Sequence, residues 1–192
     1  MVSDMANAVM KSAIYKVDFD LDHYLPVGPT NIDDLDGENL WVTGEPKATT
    51  WVSVPLHYGE PEHAGITVSD ISWLGPAFFT FNEKAAAVLR ELLVNAGELL
   101  EANIAGERHY AFNPLLKKPC LDVSSSQYNI RKNGQVGRLL TPAIDPNKTD
   151  KAAVFQTPET YRTMLFVSGE FKQAYDKAAL TGLVFTACSI TN

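Results

Sequence analysis

Cysteine, basic charge and long apolar runs are all scarce in this chain. Its 192 residues hold two cysteines, Cys120 and Cys188, far apart and without a CxxC pair. That spacing excludes a disulfide framework and a zinc knuckle and suits reduced thiols. No stretch is long and apolar enough to span a bilayer as a helix. The segment Met1 to Met10 contains Asp4 and Asn7 and has no basic region followed by an apolar run. It does not read as a secretory signal, so a cytoplasmic protein is expected. Basic residues are outnumbered, giving a net charge of -7. That balance disfavours nonspecific binding to nucleic acid or anionic membranes and is compatible with a basic protein partner.

Catalytic and metal-binding signatures are missing as well. His57 and His63, with Glu60 and Glu62, form the densest set of candidate ligands. Their spacing is not that of two histidines one helical turn apart, and Pro61 breaks any helix between them. Ser124, Ser125 and Ser126 lie between Val123 and Gln127, so the glycine-flanked nucleophile elbow is absent. Cys120 reads as a buried structural thiol, although His109 is near in sequence. Arg131, Lys132 and Arg138 flank Gly134 and Gly137 in the main basic cluster, but the phosphate-loop lysine is lacking. Asn133-Gly134 is a hairpin-turn signal, and a hairpin is the expected structure there. Asp33, Asp34, Asp36 and Glu38 crowd around Gly37 without the ligand order of a calcium loop. They read as an exposed loop and as a candidate electrostatic docking patch. No metal and no cofactor is expected.

What is present is a packable α+β pattern. Hydrophobic residues make up 45% of the chain, enough for a core. Tyr15, Val17, Phe19 and Leu21 alternate with Lys16, Asp18, Asp20 and Asp22, the period of a half-buried strand. Leu40-Trp41-Val42 and residues 50–54 look like short strands, and residues 55–65 like exposed loop. The aromatic run 77–81 leads to Asn82 as N-cap; Ala85, Val88, Leu89, Leu92 and Leu93 then recur at helical spacing, with Gly97 as the stop. Residues 98–104 and 109–112 read as strands around Ala105-Gly106. The same plan recurs at the end: strand Leu165-Phe166-Val167, N-cap Ser168, a helix lined by Phe171, Ala174, Tyr175 and Ala178, Gly182 as stop, and a final strand from Leu183. Residues 139–163, rich in proline and polar side chains, read as a long surface excursion with one strand at Ala153-Val154-Phe155. The expected fold is a single α+β domain, mostly antiparallel sheet, with two main helices at residues 83–95 and 169–179. Leu89, Leu92, Phe166, Phe171 and Phe185 are its expected core residues. Of Trp41, Trp51 and Trp73, one is expected at a partner surface.

The closing words Leu165-Phe166-Val167-Ser168, Phe171-Lys172 and Leu180-Thr181-Gly182-Leu183-Val184-Phe185 resemble the C-terminal signature of a bacterial immunity-protein family. It is the eleventh numbered immunity family of polymorphic toxin systems. Phe79 to Leu93 is similar to the family's strand and leucine-rich helix, and Phe112-Asn113 to its aromatic-Asn pair. Cys120-Leu121-Asp122 with Ser126 resembles its Leu-Asp…Ser element. The likeness runs from Trp41 to Phe185; Gly169 departs from the charged or polar residue common there. The chain is thereby divided into an N-terminal strand and acidic loop, 1–40, and the family-like domain, 41–192, within one compact unit. The resemblance implies a non-enzymatic binding protein that neutralises a cognate toxin domain in the cytoplasm, by covering its active site. A toxin acting on nucleic acid would present a basic cleft, to which Asp33, Asp34, Asp36 and Glu38 are suited. Two other readings stand beside it: a small hydrolase using Cys120 or the serine run, and a nucleotide or nucleic-acid binder using the basic cluster.

Overall fold

The computed structural model describes residues 13–31, 44–53, 55–61, 64–160 and 163–191. The period-two segment is its first strand, β1 (Ile14–Phe19), with Tyr15, Val17 and Phe19 turned toward the largest apolar cluster. On the other face Lys16 pairs with Asp18 at 2.6 Å. The strand stops short of Leu21, which lies in a turn and is 56% exposed. Its partner strand begins at Leu183, opposite Phe19, so nothing remains beyond that point for Leu21 to pair with.

The next elements are β2 (Val27–Pro29), β3 (Pro55–Tyr58), β4 (Ile71–Gly75), β5 (Phe78–Asn82), helix α1 (Glu83–Val94), β6 (Gly97–Ile104) and β7 (Glu107–Pro114). There follow β8 (Gln127–Ile130), β9 (Val136–Thr141), β10 (Ala143–Ile144), a 3-10 turn at Pro146–Lys148 and β11 (Val154–Phe155). The chain closes with β12 (Leu165–Ser168), helix α2 (Gly169–Lys177), β13 (Leu183–Ala187) and β14 (Ser189–Ile190). A six-stranded sheet has the order β2-β3-β6-β7-β5-β4, and a four-stranded antiparallel sheet the order β11-β12-β1-β13. Only β3 with β6 and β10 with β14 run parallel among the named pairs. The fold is α+β and mainly antiparallel, as the sequence pattern predicts.

Both helices begin where their caps are written. The Asn82 side chain accepts from the Ala85 amide at 2.8 Å and Ser168 from the Phe171 amide at 3.4 Å, each supplying an acceptor for an orphan amide of the first turn. The two helices touch each other, and their buried faces fill the space beside both sheets. Ala85, Ala86, Leu89 and Leu93 of α1 join Phe171 and Tyr175 of α2, Phe79 and Phe81 of β5, Phe112 of β7 and Val167 of β12. The rings of Phe81 and Phe112 meet edge to face at 6.2 Å, a favoured aromatic geometry.

Several elements differ from the pattern reading. Residues 51–53 are not a strand; the strand lies at Pro55–Tyr58, inside the expected loop. Leu56 is its single buried side chain, between exposed Pro55 and His57, so the alternation is too short to read. Proline is tolerated at this first strand position, where no ladder amide is needed from it. Of the expected core residues, Leu89, Phe166 and Phe171 are buried, whereas Leu92 and Phe185 are half-buried at its rim and Val88 is exposed. The stretch 139–163 is not a surface excursion. Leu139, Ala143, Ile144, Val154, Phe155 and Gln156 are all buried there. Ile144 and Phe155 join Ile14, Phe166, Cys120 and Cys188 in a separate cluster, with the Phe155 and Phe166 rings stacked at 5.6 Å. Phe155 belongs to the edge strand of the four-stranded sheet itself, and Ile144, with Cys120 and Cys188, covers that sheet's far face.

The helix stops are also displaced. α2 ends in left-handed Ala179 (φ 47°), with Ala179 N–H bonded to Asp176 and Leu180 N–H to Tyr175, a Schellman closure made without glycine. Gly182 (φ 109°) lies three residues further on, where an added Cβ would strike the Ile71 carbonyl. Gly97 similarly opens β6 against the Asn113 carbonyl instead of ending α1, whose C-cap is Asn95.

Leu89 and Leu92 offer a matched test of this core. Leu89→Ala should cost about 2–5 kcal/mol, as for a fully buried leucine, and Leu92→Ala clearly less. Phe171→Ala should cost about 3–5 kcal/mol. Urea unfolding of the three variants gives the values, and equal losses at Leu89 and Leu92 would contradict the burial assigned to them.

Candidate functional site

The two strand–helix units are joined by one carboxylate. Asp70, just before β4, accepts from the Thr181 amide (3.0 Å), the Thr181 hydroxyl (3.1 Å), the Asn82 side-chain amide (3.0 Å) and Lys84 Nζ (3.1 Å). Its own amide donates to Thr181 Oγ1 at 3.0 Å, and the Ile71 amide donates to the Thr181 carbonyl at 3.1 Å. Burial by itself pushes the Asp70 carboxyl up, but the bonds from Asn82, Lys84 and Thr181 outweigh it and hold the group below its ordinary value. The Thr181-Gly182 pair is therefore a clasp: threonine provides the donors and glycine permits the backbone approach. Beside it, the Tyr175 hydroxyl accepts from the Leu183 amide at 3.1 Å, and burial pushes this phenol up to about 12.

A second carboxylate holds residues 45–51 against the six-stranded sheet. Glu98 accepts from the Lys47 amide (2.7 Å), the Ala48 amide (3.1 Å) and the Asn113 side chain (2.9 Å). Burial works to raise Glu98, and these donors overcome it and lower it. Trp51 packs on the smaller sheet-face cluster and donates its indole N–H to the Glu101 carbonyl at 2.7 Å. Trp73 is half-buried against the main core. Trp51 and Trp73 are both half-buried, and Trp41 lies outside the described residues.

The candidate nucleophiles are engaged otherwise. The Asp122 carboxylate accepts from the hydroxyls of Ser124 (2.6 Å) and Ser125 (2.8 Å) and from both their amides, which draws its pKa down to about 2. Ser126 donates to the Asp122 carbonyl and accepts from the Ala143 amide, tying the root of the following hairpin. Burial pushes Cys120 up to about 11 and Cys188 up to about 12, so both are thiols at neutral pH, the less nucleophilic form. Buried His109 contacts the Tyr58 hydroxyl at 3.2 Å and the Glu107 carbonyl at 3.2 Å. His57 is exposed on β3, while His63 and Glu62 lie outside the described residues. Among the described residues no group of three His, Cys, Asp or Glu side chains is placed to hold one metal ion.

The basic cluster forms the turn of the β8–β9 hairpin, as Asn133-Gly134 predicts. Arg131 N–H donates to the Gln135 carbonyl and Gly134 N–H to the Arg131 carbonyl, both at 2.9 Å. The Asn133 side chain accepts from the Gln135 amide at 3.2 Å. The amides of Arg131, Gly134 and Gln135 are thus satisfied inside the turn. The hairpin also carries exposed Ile130 and Val136, directly opposite one another, which the reading of charge alone had passed over. Their signal was two β-branched side chains placed on either side of the Asn-Gly turn. Asp33, Asp34, Asp36 and Glu38, the predicted docking patch, lie outside the described residues.

Residues 98–189 match the model of an immunity protein family (Imm11). The matched stretch runs from the start of the β6–β7 hairpin through the Thr181-Gly182 clasp into β14. The resemblance read from the closing signature is thus the family that the match returns. No curated protein matches the chain.

The two lowered carboxyls make the clasp and the Glu98 contact acid-sensitive. Their contribution to stability is full above the unfolded-state values, about 3.9 for Asp and 4.3 for Glu, and is lost as pH falls through the lower folded-state values. The melting temperature should therefore stay level from neutrality to about pH 5 and decline below it. Asp70→Asn should destabilise by about 1–3 kcal/mol at neutral pH, with the difference from wild type shrinking in acid. Calorimetric melting of both proteins across pH measures this, and a constant difference at all pH values would contradict the clasp.

Proposed function

We propose that this chain is an immunity protein: it binds a cognate antibacterial toxin domain in the cytoplasm and neutralises it by occluding the active site, with no catalysis of its own. The observation that carries this reading is the family match over residues 98–189. The interior supports it in kind, because the matched stretch contributes Phe112, Val154, Val167 and Phe171 to the largest core cluster. The thiols and the serine run within it are engaged structurally. A rigid body that covers a partner needs little reorganisation on binding, which conserves affinity. The segments 1–40 and 41–192 act in this reading as one binding unit, since β1 lies between β12 and β13.

The chemistry of the partner follows from charge. A net charge of -7 and the cluster Asp33, Asp34, Asp36 and Glu38 suit a toxin with a basic cleft, as a nucleic-acid-directed toxin would have. Such a patch acts over a distance and is screened within about 8 Å at physiological ionic strength. No direct nucleic-acid binding and no membrane contact is proposed.

The test is surface-plasmon kinetics against the toxin domain encoded by the neighbouring gene. Wild-type protein should bind it tightly and protect cells expressing it. Changing Asp33, Asp34 and Asp36 to Asn and Glu38 to Gln should slow association more than it speeds dissociation, and high salt should reduce the effect. Unchanged association at low salt would remove the acidic patch from the account, and absence of wild-type binding would remove the immunity assignment.

A further inference from the structure

The β8–β9 hairpin has a composition that the fold does not explain. It forms its own two-stranded sheet and is bonded to no other named strand among the described residues. Its root is anchored: Leu139 is buried opposite Tyr128, and Ser126 fixes the Ala143 amide. Beyond that root the ribbon stands in solvent. Ile130 is 65% exposed and Val136 is 64% exposed, facing each other across the ribbon. A cross-strand pair of this kind contributes about 0.2–1 kcal/mol to the hairpin, and polar β-formers such as threonine would serve as well there. Leu140, also exposed, extends the apolar surface toward the root.

Charge around this pair is of one sign. Arg131, Lys132 and Arg138 surround it, and no Asp or Glu occurs between Val123 and Ile144. In a chain of net charge -7 this is a local reversal of sign. Among the described residues none of the three forms an ion pair with the protein, whereas Lys16, Lys84, Lys118, Lys148 and Lys172 each do. Two register irregularities, between Gln127 and Tyr128 and between Tyr128 and Ile130, disturb the ribbon's hydrogen-bonding edges. Bulged edges are poor templates for strand addition, so recognition here falls to side chains.

We propose, resting on the toxin-binding reading above, that the tip of the β8–β9 hairpin is a docking element for an acidic protein surface of the toxin. Ile130 and Val136 enter an apolar depression on that surface, and Arg131, Lys132 and Arg138 meet the carboxylates around it. Apolar centre and charged rim is the common anatomy of a protein interface. The exposed aliphatic pair favours protein over nucleic acid, because phosphate gains nothing from it and Tyr128 is half-buried instead of offering a free stacking face. With the acidic patch directed at a basic cleft, a second contact of opposite sign would fix the orientation of the bound pair.

Two variants separate the contributions, with the toxin domain of the neighbouring gene as probe. Reversing Arg131, Lys132 and Arg138 to Glu should slow association on the order of tenfold at low salt, with recovery at high salt. Ile130→Ser with Val136→Ser should speed dissociation on the order of tenfold or more at either salt. Both variants should stay folded and melt close to the wild type, since among the described residues the two aliphatic side chains of the tip are exposed and face only each other. Lys177→Glu, an exposed charge reversal on α2, serves as control and should leave both rates unchanged. Wild-type binding with unaltered rates in both hairpin variants would overturn the docking role and leave the immunity reading intact. Failure of the wild-type protein to bind would overturn both. Binding of a short single-stranded RNA that is lost on charge reversal, with toxin kinetics unchanged, would reassign the hairpin to nucleic acid and overturn the proposal.

Discussion

The Asp70 carboxylate is the joint on which the two strand–helix units turn. One unit offers the Asn82 side chain and Lys84, the other the amide and hydroxyl of Thr181, and all four donors converge on its two oxygens. A half-buried carboxylate is stabilised only if its acceptor sites are filled, and a half-filled site would be a liability. Because the Asn82 side chain also caps α1, the same contact sets where that helix begins and how it sits against the end of the second unit. Gly182 completes the joint by letting its backbone reach the Ile71 carbonyl without a side chain between.

Around this joint the hydrophobic layers take a consistent arrangement. The helices and the inner faces of both sheets share the largest cluster, and each outer sheet face has a smaller cluster of its own. Those outer faces are closed by chain outside the two large sheets, residues 45–51 on one side and the segments around Cys120, Ile144 and Cys188 on the other. Such cover needs polar anchors, because loops carry backbone groups that must be paired. Glu98 supplies them on the first side. On the second, Lys118 N–H bonds to the Gln156 carbonyl and Gln156 N–H to the Leu116 carbonyl.

This division bears on function. The closing signature is occupied with packing and clasping, through Leu165, Phe166, Val167, Phe171 and the Thr181-Gly182 pair, so it is a statement about the scaffold. What the packing leaves unexplained lies outside that signature, and the hairpin tip is the clearest case among the described residues. Its apolar pair is exposed and its cations form no ion pair among the described residues, in contrast to the serine run, whose hydroxyls are all engaged.

The sequence by itself determined the local elements whose signals are local. Alternation defined β1, the Asn82 and Ser168 caps defined the helix starts, and Asn133-Gly134 defined the hairpin, because caps and turns depend on residues a few positions apart. The likeness to the immunity family was legible for the same reason, in a contiguous run of words near the C-terminus. Only the tertiary structure decided the rest. Residues 139–163 read as surface because proline and polar side chains mark irregular backbone, yet irregular backbone can be buried when a sheet face needs covering. Gly182 read as a helix stop, but its place is set by the Ile71 carbonyl, beside the Asp70–Thr181 contact whose two residues are 111 positions apart in sequence. Leu89 and Leu92 carry the same side chain, and burial separates them only once α2 and the sheets take their places. Such contacts join residues far apart along the chain, and no local pattern encodes which distant surface will arrive.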